Sequence, residues 1–364
     1  MSTLEHSINK VYKRSGEMRE GLRFFITILL ITAPILIAFG LLEMVAWQVG
    51  ETMSMQAIAE WQSREPERMW RGGDGRSYLA YKVARVRQLK PQIIMLGQSR
   101  ANSFRGESLK PYSFFNSGLV AWTFSHYRRY LELVTADGYA PKALFFNFDY
   151  WMFSKGFDKY WVERFYEEPP THWEGLKVII EQLQKDPTAL YRTLPATHKL
   201  KGLYAVLSGD GFRQDGSLGG AVPTPDPNRL ANDGTAVGGP PVELGDGFDD
   251  EQLAAFERFV SFAKSRNIAL IGLQAPFYAK ILYGLNQESR AGIWREFRSD
   301  ARHAYFEGKG IIFFDFADMP EYREKPEYFV DSLHPDFRIF ADIVRRMLSD
   351  PRVRAVLPDL QSGT

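Results

Sequence analysis

The longest pattern in the chain is a stretch with no charge. From Phe24 to Leu42, "FFITILLITAPILIAFGLL", nineteen residues pass without an acid or a base, and the stretch fades through Glu43 to Trp47. A hydrocarbon layer about 30 Å thick is crossed by about 20 helical residues, so the length predicts a membrane-spanning helix over 24–47. A secretory signal has an apolar centre of only about 7–15 residues; the stretch here is longer, and no small-x-small cleavage site stands out after it. Pro34 lies inside the stretch and predicts a bend of a kind that lipid-embedded helices tolerate.

Beyond residue 50 the pattern becomes that of a folded domain. Residues 51–77 have no clear period and read as a polar connector. In "YLAYKVARVRQLK" at 78–90, Leu79, Val83, Val86 and Leu89 recur at helical spacing, and Pro91 stops the helix before the apolar run "IIML". Four more short apolar runs follow: "SFFN" at 113–116, "ALFFNFD" at 143–149, "ALIGLQAP" at 269–276 and "GIIFFDF" at 310–316. Helical patterns lie between and after them at 127–138, at 249–267 with Asp249 or Asp250 as N-cap, and at 337–348. Nearly continuous apolar strands alternating with helices predict a parallel sheet covered on both faces. The expected fold is α/β, a doubly wound, flavodoxin-like five-stranded parallel sheet over 91–350.

An insertion at about 151–248 interrupts it. The insertion opens on the aromatic-rich "WMFSKGFDKYWVERFYEEPPTHW" and runs into a Gly/Pro-rich stretch at 209–248, the composition of a surface flap or lid. Residues 1–23 form an arm, 48–90 the connector with the first helix, and 351–364 a tail.

Charge orients these parts. Lys10, Lys13, Arg14, Arg19 and Arg23 precede the apolar stretch, and basic residues beside a span stay in the cytoplasm. The N-terminus is therefore expected inside, with Trp47 at the outer interface and the main domain periplasmic or extracellular, on a single-pass inner-membrane protein. Lys plus Arg number 45 against 44 acids, so no basic field suggests nucleic acid. The absence of cysteine excludes disulfides, thiolate nucleophiles and Cys-ligated metal. No His-x-x-x-His or carboxylate cluster has ligand spacing, so no metal is expected.

Candidate chemistry begins at "QIIMLGQSRANSF", residues 92–104. In doubly wound sheets ligands sit beyond the carboxyl ends of the strands, and Gly97, Gln98, Ser99 and Arg100 fall there. A Gly-x-Ser turn often does no more than cap a helix. "FVDSLHPD" at 329–336 adds what a serine nucleophile needs: His334 to take its proton and Asp331, three residues earlier, to orient the imidazole. Both lie after the last strand and return to the same sheet edge.

With these blocks the chain resembles the SGNH (GDSL-type) hydrolases and acyltransferases. The resemblance spans about 90–150 and 265–350, and Gly-x-Ser-x-Gly of the α/β-hydrolases fails at Ala101. It implies Ser99 as nucleophile, His334 as base and Asp331 as triad acid, with no cofactor. In "FFNSGLVAWT" at 114–123 it implies the Gly118 N–H as oxyanion donor beside that of Ser99. In "FFNFDYW" at 145–151 either Asn147 or Asp149 takes the position of the third donor. Gln98 stands where the family has aspartate.

One membrane helix before such a domain is similar to the acyltransferase accessory proteins of bacterial envelope polymers. That likeness implies O-acetylation of an exported polysaccharide, with a multi-spanning membrane-bound O-acyltransferase and membrane lipid as partners. A carbohydrate esterase or deacetylase, or a non-catalytic polymer-binding scaffold, are the other readings. Arg100, Tyr150 and Trp151 are candidate substrate contacts; solvation of a helix start and aromatic packing are their ordinary alternatives. His126 could face the crevice.

Overall fold

The computed structural model describes residues 2–161, 165–219, 227–230, 247–287 and 292–359. Most of the Gly/Pro-rich stretch lies outside them, as do the side chains of residues 2–17, Lys10, Lys13 and Arg14 of the arm included, and that of Tyr160.

Five strands, β1 (Ile93–Gly97), β2 (Phe114–Gly118), β3 (Ala143–Asn147), β4 (Ala269–Gln274) and β5 (Ile311–Asp315), form one all-parallel sheet in the order β2-β1-β3-β4-β5. Their alternation explains why the runs read as continuously apolar. Ile94, Leu96, Phe115, Leu144, Phe146 and Leu270 enter one core, and Ile93, Met95, Phe114, Phe145, Ile271 and Leu273 enter the other. Both faces are buried, so both sets of side chains are apolar.

Of the helices, α1 is Ser2–Val49, α2 Ser77–Leu89, α3 Phe124–Val134, α4 His172–Lys185, α5 Asp250–Ser265 and α6 Phe337–Ser349. Helices α2, α3 and α5 cover the first face, through residues such as Val86, Tyr127 and Phe259. Helix α6 covers the second with Ile339, Phe340 and Ile343. Asp249 is the N-cap of α5, its carboxylate accepting from Glu251 and Gln252 N–H at 3.1 and 3.2 Å.

Two expectations change in the first third of the chain. Helix α1 includes Pro34 and is longer than the span expected over 24–47, extending from Ser2 to Val49. Its segment Met18–Val49 is long and apolar enough to cross a membrane, and none of that apolar window is buried. The connector is also more than a linker. Helix Met55–Ser63 packs on α2, and Met69–Trp70 pairs in parallel with Leu200–Lys201 and antiparallel with Gly211–Phe212, which pairs in turn with Leu218–Gly219. Connector and insertion therefore share one four-stranded sheet.

The same unit grips the end of α1. Ala46 and Val49 pack with Leu176 and Ile179 of α4, with Leu190, and with Leu203 and Val206. Gly175 permits the approach, because a Cβ there would lie 2.4 Å from the Glu51 carbonyl oxygen. Gly175→Ala forces the helices apart and is expected to destabilise this unit by about 1–3 kcal/mol, seen as a lower midpoint for its unfolding in the full-length protein. An unchanged midpoint contradicts the close approach.

Candidate active site

Strand β1 ends in glycine for a steric reason. A Cβ at Gly97 would lie 2.6 Å from that of Ala101, so a residue without one lets the chain pass from the strand into the 3₁₀ turn Ser99–Ala101. Gln98 secures this turn to its neighbours. Its Nε2 donates to the Trp122 carbonyl at 2.7 Å, and its Oε1 accepts from Trp151 Nε1 at 3.4 Å. The chains leaving β1, β2 and β3 are thereby joined at one point.

The loop after β5 meets them there. Ser99 Oγ lies 2.7 Å from His334 Nε2, across 235 positions of sequence. His334 Nδ1 is 2.7 and 2.8 Å from the two Asp331 oxygens. Donation of Nδ1–H to the carboxylate fixes the tautomer and leaves Nε2 to accept from the serine hydroxyl. The loop holds its shape by its own hydrogen bonds: Val330 N–H to the His334 carbonyl at 2.8 Å, and Asp336 N–H to the Tyr328 carbonyl at 2.9 Å. Asp336 then caps α6, accepting from Arg338 N–H at 2.8 Å. Ser99 and His334 both remain partly open to solvent.

Asp331 stays charged against its burial. Burial pushes its carboxyl up, but the hydrogen bond and charge of His334, with the N–H groups of Leu333 and His334 at 2.8 and 2.9 Å, bring it from 3.8 down to about 2. A carboxyl lowered on folding stabilises the fold above its unfolded value, near pH 4, and the benefit is lost as pH falls through about 2. Asp331→Asn is thus expected to cost about 2 kcal/mol above pH 4, a deficit that shrinks towards pH 2. Acid unfolding of both proteins checks it; a deficit independent of pH refutes it.

Arg100 does not face a substrate or the solvent. It is 3% exposed and turned into the protein. Its Nε donates to the Leu333 carbonyl at 3.0 Å and its Nη2 to the carbonyls of Pro276 at 2.8 Å and Ala275. Its Nη1 forms an ion pair with Asp149, and its guanidinium carbon lies 3.9 Å from the centre of the Phe277 ring. The residue after Ser99 is thus tied to the residue before His334. Burial pushes the Asp149 carboxyl up, and the Arg100 charge opposes that.

This arrangement engages Gly118, Asn147 and Asp149 elsewhere and leaves Ser99 of the expected oxyanion groups. Asp149 is fully buried and accepts from Arg100, Gln274 Nε2 at 2.7 Å and Asn147 Nδ2 at 3.1 Å. The Asn147 amide is committed to Asp149 on one side and to Ala275 N–H, at 3.0 Å, on the other. Gly118 N–H donates to Asn116 Oδ1 at 2.7 Å. Among the described residues, the Ser99 N–H has no internal acceptor, and neither has that of Ala121. The segment carrying Ala121 runs beside Gly97 and Gln98, held by Leu119 N–H to the Gly97 carbonyl at 3.1 Å and by the Gln98–Trp122 bond.

Tyr150 is buried against Trp294 and Trp151, so it belongs to the core, whereas Trp151 is half-buried beside Gln98. His126 lies under Phe165, stacked at 4.6 Å; burial lowers it to about 4, and its Nδ1 accepts from Trp122 N–H at 3.4 Å.

Two positioning residues have no counterpart in the sequence reading. Asn116 grips the nucleophile turn, its Nδ2 donating to the carbonyls of Ala101 and Phe104, both at 2.7 Å. Lys82, fully buried on α2, donates to the Asn116 carbonyl at 2.8 Å and to that of Gly216. It thereby pins the inserted hairpin to β2. A signal was available, since Lys82 falls in helical register with Leu79 and Val86 on the apolar face.

Compared with known proteins, the chain matches no protein-family model and no curated protein.

Proposed function

We propose that this chain is a membrane-anchored, SGNH-type serine acyl-group enzyme, an O-acetyltransferase acting on an exported polysaccharide. The reading is carried by one observation, the hydrogen-bonded chain Ser99–His334–Asp331 with links of 2.7 Å. Ser99 Oγ attacks the carbonyl carbon of an acyl donor and its proton passes to His334 Nε2, while Asp331 supports the imidazolium. The N–H groups of Ser99 and Ala121 receive the anionic oxygen. His334 returns the proton to the departing group, leaving an acyl-enzyme. A saccharide hydroxyl then loses its proton to His334 and attacks the acyl carbon; the acyl–Oγ bond breaks and His334 returns the proton to Ser99 Oγ.

The basic arm orients α1 with its N-terminus in the cytoplasm, so the α/β domain works outside, in the periplasm. A multi-spanning membrane-bound O-acyltransferase is the proposed source of the acyl group. Hydrolysis is the second reading: Ser99 and His334 are partly open to solvent, and water can discharge the same intermediate.

A serine-directed fluorophosphonate is expected to label the wild type and not Ser99→Ala. In cells, Ser99→Ala should abolish polymer O-acetyl groups at unchanged protein level and polymer yield. Unchanged acetyl content sinks the enzyme reading and leaves a polymer-binding scaffold. With purified full-length protein, transferase action requires a saccharide acceptor, whereas an esterase releases acetate in water alone.

A further inference from the structure

The outer end of α1 is held by the connector and the insertion at several points. Gly202 N–H donates to the Val49 carbonyl at 2.6 Å, Lys201 Nζ to that of Gln48 at 2.7 Å, and Gln48 Nε2 to Thr197 Oγ1 at 3.4 Å. The next residues are held too, since the Glu51 carboxylate accepts from the N–H groups of Gly73 and Leu203. With the apolar packing of Ala46 and Val49, these bonds make α1 and the four-stranded unit one rigid piece.

That rigidity sets the level of the exposed aromatic residues. Glu43 is the first charge after the apolar stretch, so it marks the end of the hydrocarbon layer if α1 spans a bilayer. His172 Nε2 lies 2.9 and 3.0 Å from the two Glu43 oxygens, so the imidazole at the start of α4 reaches back to that level. Trp173 follows it directly, about 3.8 Å along the chain, and is 61% exposed. Trp47, one helical turn or about 6 Å beyond Glu43, is 60% exposed. A headgroup layer is about 5–8 Å thick on each side of the hydrocarbon. Trp47 therefore lies within it and Trp173 stands at its outer side, where an apolar ring with one N–H donor is most at home.

We propose that Trp47 and Trp173 form a lipid-binding surface that seats the insertion in the outer headgroup layer and fixes the orientation of the α/β domain over the membrane. The surface rests on the reading that α1 spans the bilayer, and it is continuous with that helix. It gives the insertion a task apart from the acyl chemistry: the crevice at Ser99 is carried at a constant height and tilt, and does not swing on a tether.

The chain has no cysteine, so single spin labels can be placed without background. Full-length Ile35→Cys, Trp47→Cys, Trp173→Cys and Ala304→Cys are labelled with a nitroxide and reconstituted in vesicles of phosphatidylethanolamine and phosphatidylglycerol. Accessibility to oxygen and to a water-soluble nickel chelate is then measured. Position 35 should be oxygen-rich and closed to nickel, while 304, exposed on the α/β domain, is open to it. Positions 47 and 173 should be severalfold less accessible to nickel than 304. Each of these two variants keeps the other tryptophan, so agreement between them rules out an artefact of losing one ring. Nickel accessibility at 47 and 173 equal to that at 304, with 35 still protected, overturns the lipid surface and leaves the anchor. Accessibility at 35 as well overturns the anchor itself.

Discussion

Ser99→Ala is expected to lower kcat for an activated acetyl ester by about 10⁴–10⁶-fold, with the purified protein folded as the wild type. His334→Ala should fall in the same range, and the double variant should be little worse than either, because one hydrogen-bonded unit is broken in each case. Asp331→Asn should cost about 10⁴-fold through the wrong imidazole tautomer. The reason is visible in the distances. Both Asp331 oxygens meet Nδ1 within 2.8 Å, and the asparagine amide presents a donor to the nitrogen that must itself donate. A Ser99→Ala protein that retains turnover, or losses that simply multiply in the double variant, would refute the triad as a working unit.

The second large effect is expected at the buried pair Arg100–Asp149. Asp149→Ala leaves a guanidinium buried without its counter-charge, which costs about 3–5 kcal/mol, a large part of the about 5–15 kcal/mol that holds a domain folded. Arg100→Met combined with Asp149→Leu removes both charges and should recover most of that stability. Activity should not recover with it. The bonds from Arg100 to the carbonyls of Leu333, Ala275 and Pro276 are what align the serine turn with the histidine loop, and a misplacement of about 1 Å can cost about 10²-fold in rate. Arg100→Lys tests alignment separately. It keeps a charge near Asp149 but lacks the planar fork, so kcat should fall by about 10²-fold with KM little changed. If the uncharged pair is as active as the wild type, Arg100 has no positioning role.

Some of this site was legible before any coordinates. Ser99 follows an apolar run that ends on glycine, and Asp331 and His334 arrive together after the last apolar run; each clue is local. Gly118, Asn147, Asp149 and Arg100 were read with less success because their type is compatible with several partners. An arginine beside a serine reads as solvent-facing until its guanidinium is seen among three carbonyls and a carboxylate. Gly118 satisfies the pattern of a donor, yet Asn116, two residues earlier, takes its N–H. Lys82 was not singled out, although its register with Leu79 and Val86 placed it on the buried face.

Periodicity belongs to short stretches of chain and survives without neighbours. The uncharged helix, the five strand runs with their helices, the arrival of Asp331 and His334 beyond the last strand and an N-cap at Asp249 or Asp250 were therefore determined by the residues alone. Partner choice has no period. That Ser99 and His334 meet, that Arg100 turns inward to Asp149, that the connector joins the insertion in one sheet and that this unit grips the end of α1 depend on hydrogen bonds and ion pairs between segments 49 to 235 positions apart. Such contacts are selected by which buried donors and acceptors the folded chain must satisfy together, and only the tertiary structure decides that.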